Sequence, residues 1–284
     1  MLTDGVTSGR WQLAAWLVAE DRDTPYDGSQ TTPNPLQERT TIRVWLVSGD
    51  VRIGRGFGVQ VTGTIPDITR SAVVPSGATS FRFSETFRGA GDTSVLVWRR
   101  FAASSPWTVT LNAGASLPTG KAERPRFAAD PGEGSLVPFS RLQRGSGTID
   151  PLVGVSVNRV VRRVFAPGVR VFSTAAMRLP VAENEYGLRT GASVEIGAGL
   201  SREVRWHWLV LLGRLSWLHR EPDVFQGTPV LVGGGDWLSL AAGAAVQRGP
   251  SSVQFEIKAP VRRALANRQL DSSAVFQVGF TRVF

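Results

Sequence analysis

His207 and His219 are the two histidines of this 284-residue chain, and a nucleophilic or acid–base site would need one of them within hydrogen-bond distance of a partner group. Both fall on the face that carries Leu209, Leu211 and Leu215 in one extended segment, near its two ends. At strand rise they stand roughly 40 Å apart, so they share no site and read as interfacial histidines without a catalytic role. The acid pairs Glu183 with Glu185 and Glu221 with Asp223, and the trio Asp21, Asp23 and Asp27, fall in expected loops. They read as solvated carboxylates, because calcium bridging requires more oxygen ligands than any of these sets supplies. Gly233-Gly234-Gly235 lacks the Lys-Ser or Lys-Thr, and the helix, that follow in a phosphate-binding loop. With no cysteine in the chain, disulfides and thiolate metal centres are excluded. The expectation is a protein with no catalytic residue, metal or cofactor.

The elements that hold these residues are legible from alternation, since strand side chains point to opposite faces with period 2. Trp107, Val109, Leu111, Ala113, Ala115 and Leu117 oppose Thr108, Thr110, Asn112, Gly114 and Ser116. Val51, Ile53, Phe57, Val59 and Val61 oppose Arg52, Gly58, Gln60 and Thr62, and Phe255, Ile257, Ala259 and Val261 oppose Gln254, Glu256, Lys258 and Arg262. Such lengths suit tilted membrane strands of about 9–11 residues better than the strand of about 5–6 residues usual elsewhere. The pattern gives about twelve strands, near 10–20, 39–48, 51–63, 92–101, 107–117, 148–160, 168–179, 188–200, 204–218, 236–248, 251–263 and 273–284. Short connections, including Gly49-Asp50, Ala102 to Pro106 and Gly249-Pro250, alternate with long ones such as 64–91 and 118–147. Ser80 to Phe87 reads either as a further strand or as a loop folded into the mouth. The fold class expected is all-β, one transmembrane antiparallel up-and-down barrel over residues 1–284 with both termini on the short-turn side.

Composition agrees. The hydrophobic fraction is 42% and the mean hydropathy −0.03, too polar for membrane helices, and the longest apolar run, Trp208 to Leu212, is far short of a helical span. The net charge is +9, carried almost wholly by arginine. These arginines are scattered singly rather than clustered on a reading helix, so no nucleic-acid partner is expected. Leu13 to Val18 lacks the basic flank and small-residue cleavage site of a signal peptide and reads as a first strand. A soluble β-sandwich binding protein stays open as an alternative.

The face opposite the apolar one is the expected lumen. It carries Arg43, Arg52, Arg170, Arg178, Arg189, Lys258 and Arg262 against Glu195 and Glu256, with the aromatics Trp16, Trp45, Phe172 and Trp237. A basic ring favours anions, and inward aromatics suit hydrophobic or aromatic solutes. The same residues also read as a salt-bridged filling, because twelve strands lie between eight, which side chains fill, and sixteen, which leave open water. Trp107, Trp206 and Trp208, near strand starts, suit an aromatic girdle.

The chain ends on Phe276, Val278, Phe280 and Phe284, one oily face with Arg282 as its discordant member. Arg282 is expected near the membrane edge, and Arg55, on the apolar side of the third strand, must snorkel or lie at the rim. Several strings resemble a family of bacterial outer-membrane barrels, the meta-pathway phenol-degradation transporters. They are Ser8-Gly9-Arg10-Trp11-Gln12-Leu13, Gly89-Ala90-Gly91-Asp92, Leu117-Pro118-Thr119-Gly120, Gly145-Ser146-Gly147-Thr148-Ile149-Asp150-Pro151, Glu183-Asn184-Glu185-Tyr186-Gly187 and Arg268-Gln269-Leu270. The closing Gly279-Phe280-Thr281-Arg282-Val283-Phe284 belongs with them. The resemblance implies an outer-membrane channel or transporter for small solutes, with outer-membrane lipid around it. It also implies that Phe276, Val278, Phe280 and Phe284 serve as an assembly signal for the barrel-insertion machinery.

Overall fold

Strict alternation gives each strand two chemically different faces, and a ring of such strands can place all the oily faces outside. In the computed structural model the chain does this. The structure describes residues 10–54, 56–76, 79–102, 106–122, 127–129, 136–138, 143–161, 168–204, 208–230, 233–266 and 268–284. The wall consists of twelve antiparallel strands. They are β1 (Trp11–Asp27), β3 (Arg39–Gly54), β4 (Phe57–Ser76), β6 (Thr93–Ala102), β7 (Trp107–Leu117) and β10 (Asp150–Val161), followed by β11 (Val169–Arg178), β13 (Ser193–Glu203), β14 (Leu209–Arg220), β17 (Gly235–Arg248), β18 (Ser251–Leu265) and β19 (Gln269–Val283). Neighbours in the wall follow chain order, and β19 pairs with β1 to close it.

Closure begins at the chain end. The Phe284 amide donates to the Trp11 carbonyl at 2.8 Å, the Arg10 amide donates to the Phe284 carbonyl at 3.0 Å, and Trp16 stands opposite Gly279. The outward face of β19 is Phe276, Val278, Phe280, Arg282 and Phe284, all exposed.

The remaining elements sit at the long-loop end. β2 (Gln30–Thr31) pairs with β1, and β5 (Thr79–Arg88) pairs with the upper half of β4, off the wall. The segment around Ser80 to Phe87 is therefore a strand, but a projecting hairpin arm. β8 (Phe127–Ala129) pairs with β9 (Leu136–Pro138), and β12 (Leu188–Arg189), β15 (Val224–Phe225) and β16 (Thr228–Pro229) form a small three-stranded sheet.

Two boundaries differ from the sequence reading in ways that matter for the interior. Gly49 and Asp50 are not a turn: β3 runs through them to Gly54, which pairs with Phe57 at the start of β4, and Gly56 takes φ +80°. A two-residue turn at Gly49-Asp50 would have set Ser48 opposite Val51 and put the even residues of the preceding strand outside. In the continuous strand Val51 and Val47 share one parity, so the odd residues face out. The second difference is a bulge in β18. Leu238 pairs with Arg262 while Ser239 pairs with Pro260, so Val261 is the extra residue and every side chain beyond it changes face.

Inward aromatics lie flat against glycines of the next strand. A Cβ on Gly279 would stand 2.2 Å from the Trp16 ring, one on Gly58 2.1 Å from the Trp98 ring, and one on Gly199 2.5 Å from the Phe172 ring. Replacing Gly279 with valine should therefore displace Trp16 and destabilise the barrel by about 1–3 kcal/mol. Urea unfolding in lipid, read by the heat-dependent shift in gel mobility of the folded barrel, checks this.

Candidate functional site: the barrel interior and its mouth

The wall positions Arg52, Arg170, Arg178, Glu195, Glu256, Lys258, Trp16, Phe172 and Trp237 on the inner face, as their parity in each strand requires. Four expected lumen residues lie elsewhere. Arg43 and Trp45 face outward, because β3 continues through Gly49-Asp50 and inverts the expected phase; Trp45 is 48% exposed. Arg262 faces outward because of the Val261 bulge, and Arg263 takes the inner position. Arg189 belongs to β12 in the small loop sheet, off the wall, and donates to the Pro180 carbonyl at 3.5 Å. His219 is outward as expected, stacked on Trp217 at 6.0 Å and 3.0 Å from Asp236. His207, Trp206 and Arg55 lie outside the described residues.

At mid-height ion pairs link β13 and β14 to β18 along one side of the inner face. Arg214 donates to Glu256 at 2.6 Å and Lys258 to Glu195 at 3.0 Å, with the Glu256 side chain 5% exposed. The indole N–H of Trp16, itself buried, meets no acceptor within the described residues. Towards the long-loop end Arg22 pairs with Glu20 at 2.7 Å, and Arg263 pairs with Asp271 at 3.1 Å. Trp237 donates its indole N–H to the same Asp271 at 2.9 Å, and the Arg263 guanidinium lies 4.1 Å from the centre of the Tyr26 ring. Each of these charges is removed from water only where a partner meets it, which is the condition for tolerating it.

The short-turn half is different in charge. A chamber of about 280 Å³ is bordered by Arg10, Arg52 and Arg100 against Asp50, three cations to one carboxylate, with Arg214 and Glu195 of the mid-height ion pairs at its inner end. Asp50 accepts from the Trp98 indole N–H at 2.7 Å, and the Arg100 guanidinium lies 5.4 Å from the centre of the Trp98 ring. Arg10, Arg52 and Arg100 also line an opening at the short-turn rim. A neighbouring vestibule of about 400 Å³, bordered by Arg170, Gln12 and Gln254, shares Gln12 with the chamber. Arg100, Trp98 and Arg214 were not singled out from the sequence, although parity places Arg214 opposite Leu209, Leu211 and Leu215.

The long-loop mouth is a built structure. Asp92 accepts from the Ser146 amide at 2.7 Å, the Ser146 hydroxyl at 2.8 Å and the Gly120 amide at 3.3 Å. Thr119 donates to the Gly91 carbonyl at 3.0 Å, and the Asn184 amide group donates to the Ser146 carbonyl at 3.0 Å. A side chain on Gly145 would meet the Gly120 carbonyl at 2.6 Å, so these loops touch backbone to backbone. Asp150 is fully buried, paired with Arg178 and accepting from the Thr148 hydroxyl at 2.7 Å. Asp223, likewise fully buried, accepts from Arg220 at 2.7 Å and from the Gly191 amide at 2.8 Å. The strings containing Asp92, Gly120, Ser146 and Asn184, far apart in sequence, thus form one belt. Glu221 and Asp223, read as a solvated pair, part company here, since Asp223 is fully buried.

Asp92→Ala removes the acceptor of three bonds, and hydrogen bonds to a charged group contribute about 1.5–3 kcal/mol each. Limited proteolysis of the folded barrel should show the 118–147 loop cut at least about tenfold faster, since 1.4 kcal/mol of local opening corresponds to that factor.

No protein-family model matches the sequence, and the search of curated proteins finds no match. Solved structures do resemble it. An outer membrane channel from Pseudomonas putida F1 superposes with a TM-score of 0.73 at 10% identity, covering 99% of this chain and 97% of that one. The transport unit of the autotransporter AIDA-I from Escherichia coli gives a TM-score of 0.51 at 13% identity over 100% and 93% of the two chains. The NanC porin gives 0.50 at 6% identity over 95% and 100%. The fold of this chain is the closed transmembrane barrel of bacterial outer-membrane proteins.

Proposed function

We propose that this barrel is a non-enzymatic outer-membrane channel that passes small solutes passively and favours anions. The observation that carries the reading is the short-turn chamber, where, apart from Arg214 and Glu195 of the mid-height ion pairs, Arg10, Arg52 and Arg100 outnumber Asp50 around one cavity. In a narrow passage with low-dielectric walls such an excess raises the local anion concentration. The short turns and both termini face the periplasm in this reading, and the long loops face outward. The likeness to the Pseudomonas putida F1 channel over nearly its whole length supports a channel. The sequence strings support the phenol-degradation transporter family in particular. Trp98 and Phe172, packed on glycines and largely buried, border the same chamber with their remaining surface, which suits aromatic acids. The exposed face of Phe276, Val278, Phe280 and Phe284 serves as the signal read by the barrel-assembly machinery.

A second reading, a filled barrel that acts through its loops, is favoured by one observation: the ion pairs Arg214–Glu256 and Lys258–Glu195 occupy the inner face at mid-height. Planar-bilayer conductance separates the two. Folded protein that conducts, with a reversal potential on the anion-selective side in a potassium chloride gradient, supports the channel. Folded protein that shows no conductance supports the filled barrel.

Within the channel reading, Arg52→Gln with Arg100→Gln should shift the reversal potential towards zero, whereas Arg43→Gln, on the outer face, should leave it unchanged. Replacing Glu195 and Lys258 together with alanine should raise single-channel conductance, because it removes a pair that occupies the mid-height section.

A further inference from the structure

The outward surface of the barrel has two rims of different charge. At the long-loop rim the outward charges are of both signs and include ion pairs, Arg39 with Asp21 at 2.7 Å and Arg88 with Asp67 at 3.7 Å. At the short-turn rim the outward charges among the described residues are all arginine. Arg99, Arg159, Arg202, Arg248 and Arg282 are exposed at the ends of β6, β10, β13, β17 and β19, spread around the wall. Their direction follows from register: Arg99 stands opposite Phe57, Arg159 opposite Trp107, Arg202 opposite Leu211 and Arg282 opposite Leu13, all exposed apolar residues. The two acids described at this end, Asp50 and Glu203, border the interior cavities instead. Among the described residues no carboxylate pairs with any of the five arginines.

Three of the five are held on aromatic faces. Arg99 lies 4.9 Å from the Phe57 ring centre and 4.7 Å from that of Phe101, Arg159 lies 4.9 Å from Trp107, and Arg282 lies 5.1 Å from Phe284. Stacking uses the flat face of a guanidinium and leaves the N–H donors around its edge available. That fork matches two oxygens of a phosphate. The aromatics mark the level at which apolar wall gives way to headgroups, so the donors stand where phosphodiesters are.

We propose that this rim is a binding belt for anionic phospholipid headgroups in the leaflet around the short-turn end, with an arginine–aromatic pair as the unit that holds each phosphate. The belt lies on the opposite side of the wall from the solute path. It also gives Arg282 a purpose: the one polar member of the closing strand's oily face sits at headgroup depth, on the ring of the terminal phenylalanine.

The test uses the full chain folded in bilayer discs of mixed phosphatidylcholine and phosphatidylglycerol, extracted into mild detergent, with the retained lipid weighed by mass spectrometry. Phosphatidylglycerol should be enriched about fivefold over its bulk share, the effect of one basic contact, and rising sodium chloride should erase the enrichment. The combined variant R99Q, R159Q, R202Q, R248Q and R282Q should lose it, while Arg43→Gln with Arg262→Gln at the other rim should keep it. Equal retention of the two lipids by the native chain overturns the proposal, as does enrichment that survives the five replacements. Should the five-residue variant fail to fold, the native chain still decides: enrichment indifferent to salt overturns the belt.

Discussion

The constraint on which everything else depends is that a backbone crossing hydrocarbon must find every hydrogen-bond partner inside the protein. A sheet meets it only by closing, and here closure comes down to the pairing of the last strand with the first, sealed by the reciprocal bonds between Trp11 and Phe284. From that ring the rest follows. Side chains are divided into an outer set that contacts lipid and an inner set that does not. The inner charges then need partners, which Glu256, Glu195 and Asp271 find in Arg214, Lys258 and Arg263. The inner aromatics need flat ground, which glycines of the neighbouring strand provide.

The interior changes character along its length. Near the long loops most charges are met by their opposite: the buried Asp150 carboxylate is held by Arg178 and the Thr148 hydroxyl, and that of Asp223 by Arg220 and the Gly191 amide. Near the short turns cations are in excess. From the short-turn end inwards the interior therefore passes from a positive chamber to a neutralised section.

Much of this was legible in the residues. Alternation placed the twelve wall strands, the closing strand and most of the inner face, because a half-buried strand repeats its chemistry every second residue. What failed on the wall was the start of the eighth strand, where Leu188 and Arg189 join the small loop sheet and the wall begins at Ser193, and two places where parity alone is ambiguous. Gly49-Asp50 has the composition of a hairpin turn, yet its neighbours on β4, Val61 and Gln60, continue the ladder past it, and only cross-strand pairing shows that. The bulge at Val261 has no local signal, since Lys258-Ala259-Pro260-Val261-Arg262 reads as unbroken alternation. The mouth was legible as strings but not as a site: Asp92, Ser146 and Asn184 sit in loops whose proximity is fixed by the closed wall, not by their spacing in the chain.

The belt at the mouth has a consequence for how the barrel comes to be correct. Asp92 reaches Ser146 across 54 residues of chain and Asn184 reaches the same serine across 38, so none of these bonds forms until the intervening strands are in place. A slip of two residues between neighbouring strands keeps every side chain on its proper face and is invisible to lipid, but it moves a loop by roughly 7 Å. At that displacement the Asp92 carboxylate no longer meets the Ser146 amide. The belt therefore acts as a proofreader of register, locking only the one alignment among several that the oily outer surface alone would accept.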